Sequence, residues 1–424
     1  MLRHVKIPTY DLILCLSAAI DLISPRVAYH HVKAAYGALS IAAEMGFSHQ
    51  EKNALLLSGM LHDCGALSLK EKMEIMEFEM DSPHYHSDLG GRLLSTFEPF
   101  MGISSLVRHH HVPWDFGGGQ EFHGGEVALS SHVLHLADRV AILLEKNHDV
   151  LKGAAEIRKK IEAHRGKLFH PEVVEAFLAL SEREYFWFDL ASPSLTAILA
   201  DALELDTISL DTEGLLSLTR LVSHIIDFRS PFTSTHTSGV AASAEVLCRL
   251  AGFSEHEAVS MRIAGFLHDL GKLAVPKEIL EKPGKLSEEE FNIVRCHTYH
   301  TYRLLEQVPG FSEIASWAAF HHEHLDGKGY PFHIDGRDLS LGARIMAVAD
   351  VNTAITEDRP YRKGMEKEKA LEVLDTMVSG KKLDGNLVQL LKTHFEEANG
   401  ARKRAQESSR QEFDRFLMEP AERR

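Results

Sequence analysis

The sequence predicts an all-α protein built from two tandem copies of one helical bundle, and three observations predict it. Apolar residues recur at three- and four-residue spacing in "LLSLTRLVSHIIDF", "HEAVSMRIAGFLHDLG", "SEEEFNIVRCHTYHTYRLLEQV" and "KEKALEVLDTMV", with no series of alternating strands beside them; that spacing is the period of a helix face. The chain also repeats itself. Asp21, Ser24-Pro25, His30 and "GMLHDCG" (Gly59 to Gly65) recur 206 positions later as Asp227, Ser230-Pro231, His236 and "GFLHDLG" (Gly265 to Gly271). The agreement continues in order: His86 with His297, His110-His111 with His321-His322, Asp138 with Asp350, and Gly166-Lys167 with Gly380-Lys381, as the offset drifts to 214. Such drift needs only short loop insertions between two copies of one fold. Finally, 424 residues with 44% hydrophobic content are enough for two separate cores.

Taken in order, the elements follow from local composition. The apolar stretch Leu12 to Ile23 is bounded by Asp11 and interrupted by Asp21. It is too short to span a bilayer and unlike a secretory signal, so it is expected to form an amphipathic first helix. The first copy is expected over residues 1–180. Residues 181–206 carry an aromatic cluster, a Ser192-Pro193 break and a periodic apolar stretch, which predict an ordered connecting helix. The second copy is expected over residues 207–397, where Ser287 and Glu290 predict a helix-starting capping box. Residues 398–424 are heavily charged with few apolar anchors and are expected to form a solvated or frayed helical tail.

Charge narrows the function classes. Acidic residues outnumber basic ones, 61 to 46, for a net charge of −15. That balance argues against a nucleic-acid polymer as partner, but not against a small phosphorylated ligand, because bound metal ions reverse the field locally. Cys15, Cys64, Cys248 and Cys296 show no paired spacing, which points to a reduced, cytoplasmic setting, and with no apolar stretch long enough to span a bilayer no membrane partner is expected. The unusual count is 27 histidines.

In the second copy these form an ordered series: His236, His268-Asp269, His297, His321-His322 and Asp350. Any one of them alone reads as an ordinary imidazole or carboxylate; the complete series points to metal. Adjacent helical residues project about 100° apart, so His268 and Asp269 do not crowd one position. A carboxylate placed between two ions bridges them. Seven ligands with one bridging Asp then give four contacts to each of two metals, a centre able to activate water. The mixed nitrogen and oxygen set is compatible with iron, manganese or zinc.

"HDLGK" (His268 to Lys272), "ILEKPGKLSEEEF" (Ile279 to Phe291), "HHEHLDGKGYP" (His321 to Pro331) and "ADVNTAITEDRPYRKG" (Ala349 to Gly364) resemble the HD-GYP domain, a branch of the HD superfamily of metal-dependent phosphohydrolases. The resemblance covers nearly all of the second copy, and its "HHExxDGxGYP" motif is complete. It implies an all-helical phosphodiesterase of cyclic dinucleotides in bacterial second-messenger signalling, with cyclic di-GMP as the first candidate substrate and cyclic GMP-AMP as the second. It also implies two divalent ions, iron or manganese. By motif, His236, His268, Asp269 and Asp350 would hold one ion, and Asp269, His297, His321 and His322 the other. Lys272 would stabilise charge or protonate the leaving oxygen, Arg359 and Arg362 would clamp the phosphates, and Tyr330 would approach the ligand. Four positions depart from the family pattern: Phe232 where a third-metal Glu would stand, Thr353 where an acid follows the last ligand Asp, and Thr298 and Thr301 in place of Pro and Gly.

The first copy keeps His30, His62-Asp63, His86, His110-His111 and Asp138 at the seven ligand positions, a candidate second metal site. Ala66 stands at the lysine position, "HVPWDFGGGQ" with Gly119 replaces the GYP motif, and "RPYR" has no counterpart. An HD domain without the GYP signature suggests a sensing or structural role ahead of catalysis. Two alternatives stay open for the whole protein: a non-catalytic cyclic dinucleotide receptor, and an HD hydrolase of other nucleotides. A homodimer or a signalling partner is compatible with either.

Overall fold

The computed structural model describes residues 9–22, 29–66, 71, 77–78, 84–145, 149–202, 210–228, 235–282, 284–358 and 363–418. Among these the protein is all-α, with one two-stranded antiparallel ribbon, Glu121–Phe122 against Gly125–Glu126. The chain divides into two compact units. The first is residues 16–208; the second is residues 209–419 together with the residues up to Cys15.

The first unit holds the C-terminal part of α1 (Thr9–Asp21), then α2 (His30–Glu44), α3 (His49–Leu61), α4 (His84–Ser95), α5 (Met101–Arg108), α6 (Leu129–Glu145), α7 (Val150–Ala163) and α8 (Pro171–Leu180). The segment expected to be one connecting helix forms two, α9 (Glu184–Leu190) and α10 (Leu195–Ala202), split at the Ser192-Pro193 break. The second unit comprises α11 (Thr212–Asp227), α12 (His236–Leu250), α13 (Glu255–Leu267), α14 (Lys277–Leu280), α15 (Glu288–Leu305), α16 (Ser312–Ala319), α17 (Leu341–Thr356), α18 (Lys367–Ser379), α19 (Gly385–Thr393) and α20 (Phe395–Met418).

Local signals repeat between the units. The capping boxes Ser48/Glu51 and Ser254/Glu257 start α3 and α13, and Ser287/Glu290 starts α15 as the sequence predicts. Each Ser accepts from the N3 amide while the Glu accepts from the Ser amide, so two otherwise unpaired amides are satisfied. In the first unit α2 packs on α3 and α6; in the second α12 packs on α13, α17 and α20. One glycine in each unit allows the approach that forms the site. A Cβ on Gly271 would lie 1.9 Å from the His297 carbonyl oxygen, and one on Gly65 would lie 2.2 Å from that of His86. Only glycine lets the turn after the His-Asp pair sit on the helix carrying the next histidine.

The tail differs from expectation. α20 runs to Met418 and buries Phe395, Ala398, Arg402, Gln406, Ser409, Phe413 and Phe416. Its apolar anchors are few but fall on one face, and Phe413 and Phe416 both meet the Phe228 ring at 5.0 Å. The charged residues occupy the opposite face, so composition alone gives a misleading impression of a solvated segment.

Candidate metal centre

The second unit gathers its seven predicted residues from five places. His236 opens α12, His268-Asp269 follow α13, His297 lies within α15, His321-His322 follow α16, and Asp350 lies within α17. Their donor atoms form two triplets, His236/His268/Asp350 and His297/His321/His322, each with all donors within 4.8 Å of one another. Asp269 stands between them, with one oxygen 3.2 Å from His268 Nε2 and the other 3.6 Å from His297 Nε2. His236 Nε2 is 3.1 Å from an Asp350 oxygen.

Backbone carbonyls fix the imidazoles. Nδ1–H of His268 donates to the Gly265 carbonyl at 2.8 Å, that of His297 to Val294 at 2.5 Å, and that of His321 to Ala318 at 2.7 Å. A carbonyl only accepts, so each Nδ1 carries the proton and each Nε2 presents its lone pair to the cluster. Burial depresses His297 to about 3 and His322 to about 4, and His321 well below the ordinary imidazole range, so all three are neutral donors at neutral pH. Burial also pushes His236 down, but the Glu357 and Asp350 carboxylates outweigh it and carry it up to about 10. Asp269 lies well below the carboxylate range, because His268 and Lys272 outweigh its burial. Buried Nε2 of His268 and Oδ1 of Asp269 have no hydrogen-bond partner. Unpaired donors of both types facing one centre are costly unless a cation neutralises them, and the residues present therefore fit divalent ions.

Lys272 reaches Asp269 with Nζ 2.5 Å from Oδ2. Tyr330 is half-buried against His322, ring centroids 4.9 Å apart, with Arg295 5.2 Å from its ring. Its loop is held by Glu323, which accepts from the amides of Phe332 at 2.7 Å and Ile334 at 3.1 Å. Gly329 is required there, since a Cβ would lie 2.4 Å from Glu323 Cα. Thr353 is buried. Arg359, Arg362 and Phe232 lie outside the described residues.

Sequence reasoning missed Glu357. It is buried, accepts from His236 Nδ1–H at 3.1 Å, and also accepts from Gln406 Nε2 at 3.1 Å. A carboxylate on the far nitrogen of a ligating histidine fixes its orientation and raises its basicity. The signal was the spacing: Glu357 is seven residues, two helical turns, after Asp350 and so on the same side.

The first unit builds a second cluster with the same logic. His62 Nδ1–H donates to the Gly59 carbonyl at 2.7 Å and His110 Nδ1–H to Val107 at 2.6 Å. His30 Nε2 is 3.1 Å from Asp138 Oδ1, and His62 and His86 Nε2 are each 3.5 Å from Asp63 Oδ1. All seven predicted residues are buried, and burial holds His110 and His111 well below the ordinary imidazole range. An eighth, not anticipated, joins them: His31 is oriented by Asp21 and places Nε2 3.7 Å from Asp63. The second unit has Thr237 at that position, donating to Asp227 at 2.7 Å.

The HD-domain family matches the chain twice, over residues 27–143 and 220–387. The chain is 29% identical over 392 residues to the 3′3′-cGAMP-specific phosphodiesterase 1 of Vibrio cholerae, covering 89% of each. It is 40% identical over 159 residues to a cyclic di-GMP phosphodiesterase of Pseudomonas aeruginosa, covering 37% of each. Its fold is similar to the crystal structure of a cyclic GMP-AMP specific phosphodiesterase of V. cholerae, with a TM-score of 0.66 at 22% identity over 91% of this chain and 97% of that one.

Proposed function

The chain belongs to the HD-domain family, and from that premise we propose that it is a metal-dependent phosphodiesterase of cyclic dinucleotides whose chemistry resides in the second unit. The observation that carries this reading is Asp269, set between two His-rich triplets and beside Lys272. Two divalent ions, iron or manganese, would supply Lewis-acid stabilisation of the phosphoryl oxygens and a nucleophile from water at neutral pH. His236, His268, Asp269 and Asp350 would hold one, and Asp269, His297, His321 and His322 the other. Lys272 holds positive charge and a proton beside the bridge, where the departing ribose oxygen needs both. Tyr330 lines the approach, and Arg359 and Arg362 grip the phosphates as guanidinium forks. Water adds to phosphorus as the P–O bond to the ribose breaks, giving a linear dinucleotide or, after a second cut, mononucleotides.

Two substrates are candidates. A relative aligned over 89% of this chain is named for 3′3′-cGAMP, and one aligned over 37% of it is named for cyclic di-GMP. The test offers each separately to the manganese- or iron-loaded protein and resolves products by chromatography. Linear products from either establish the reading; none from both would overturn it. A companion measurement concerns the bridge. In protein whose first-unit cluster is disabled by His62→Ala with Asp63→Ala, adding Asp269→Ala is expected to remove the remaining ions. Undiminished metal content would reject the two-ion assignment.

A further inference from the structure

The first unit carries a cavity of about 350 Å³ that opens on its His/Asp cluster through His111. That is within the range of sites for small organic ligands, about 300–1,000 Å³. Part of its wall comes from positions where the first unit departs from the second, whereas His111 and Lys167 match His322 and Lys381. On α6, His135, Asp138 and Arg139 share one helix face by their three- and four-residue spacing; the corresponding residues of α17 are Ala347, Asp350 and Val351. The Pro113–Asp115 segment supplies a second wall, and it belongs to the stretch that replaces the Gly-Tyr-Pro motif. A third comes from Lys167 and Phe78. Backbone bonds fasten these walls, with the Trp114 amide donating to the Leu168 carbonyl at 3.1 Å and that of Asp115 to Lys167 at 2.8 Å. The cavity is therefore preformed, which lowers the ordering cost of binding.

Its chemistry points to a ligand. His135, in the cavity wall, is 3% exposed, and its Nδ1 is buried without a hydrogen-bond partner. His111 has both ring nitrogens in the same condition. Lys167 places a cationic group in the wall of a chain whose net charge is −15, while the Arg139 guanidinium beside it is paired with Asp138 and donates to the Glu77 carbonyl. Asp115 offers an acceptor for hydroxyl groups, and Phe78 an apolar surface. A phosphate needs donors and positive charge, a ribose needs a hydroxyl acceptor, and a base needs an apolar wall; one molecule with all three is a nucleotide.

We propose that this cavity binds a nucleoside monophosphate, with the phosphate toward His111, His135 and Lys167. The site is separate from the cyclic dinucleotide centre and gives the first unit a ligand-sensing role. The proposal rests on reading the first-unit cluster as a metal site, because a bound cation there completes the anion pocket. The test uses the full chain with the second centre disabled by His268→Ala and Asp269→Ala, loaded with manganese. Its metal content is measured first, and 5′-GMP, guanosine and inorganic phosphate are then titrated by calorimetry. Expected are retained metal, one 5′-GMP site per chain, no guanosine binding, and phosphate binding weaker than 5′-GMP. Lys167→Glu, at an exposed residue, is expected to weaken 5′-GMP binding by about tenfold or more, the worth of a charge-assisted contact. His135→Ala is expected to do the same. Absence of metal would overturn the reading of the cluster. Metal without 5′-GMP binding, binding indifferent to Lys167→Glu, or guanosine binding as well as 5′-GMP would overturn the cavity proposal alone.

Discussion

Lys272 adjoins Asp269 and Glu357 adjoins His236 in the second-unit cluster, and their chemistry predicts different failures. Lys272 touches Asp269 but supplies no ligand to the triplets, so Lys272→Ala is expected to leave metal content intact while lowering turnover by about 10²–10⁴-fold, the range for a positioned acid–base group. Unchanged turnover, read in the same assay that resolves linear products, removes the role. Glu357 acts through His236 and Gln406 acts through Glu357. Glu357→Gln keeps the shape but loses the negative charge that orients His236. It is expected to weaken metal binding by about tenfold to a hundredfold. Metal titration of the chelated protein measures this directly. Equal affinity in variant and parent would reduce Glu357 to a packing residue.

Among the elements, α20 shows how a charged segment becomes structural. Its inner face stacks Phe413 and Phe416 on Phe228, and it carries Gln406 to Glu357, with Arg402 donating to Gln406 Oε1 at 2.6 Å. Phe413→Ala removes a buried ring from this contact and is expected to cost about 3 kcal/mol. Chemical denaturation of the second unit's transition measures it, and a change under about 0.5 kcal/mol, typical of surface positions, would mean that α20 is not anchored there. The short glycine turns matter in the same way. Gly271 and Gly65 each let a His-Asp pair and the next histidine approach closely, a requirement legible as "HDxG" in both copies.

For the whole molecule, duplication with divergence predicts a division of labour. Both units retain seven matching donors, but Lys272 and Tyr330 face Ala66 and Gly119 at the corresponding positions. Disabling the first cluster by His62→Ala with Asp63→Ala is expected to leave dinucleotide hydrolysis, while His268→Ala with Asp269→Ala is expected to abolish it. The measurement is turnover of both double variants at matched metal loading of the untouched cluster. A dead first-cluster variant beside an active second-cluster variant reverses the assignment. No described helix is long and apolar enough to cross a membrane.

The sequence by itself determined the all-α class, the duplication, the order of the seven donors in each copy and the capping box at Ser287, because these depend on periodicity and on short, strongly constrained motifs. The separation of the donors into two triplets about Asp269 was implied by the resemblance to the HD-GYP domain and not by chain order, since Asp350, the last of the seven, joins His236 and His268. Only the tertiary structure decided which groups stand behind the donors. Glu357, His31 and Gln406 are ordinary residues in one dimension, and they become part of the clusters because α17, α2 and α20 turn one face toward them. The burial of α20 was hidden for the same reason: composition averages over a helix, whereas packing reads one side of it. The cavity beside His111 is formed by segments far apart in the chain, α6 and the loops at 113–115 and 167–168, and such a meeting is a property of packing that no local pattern records.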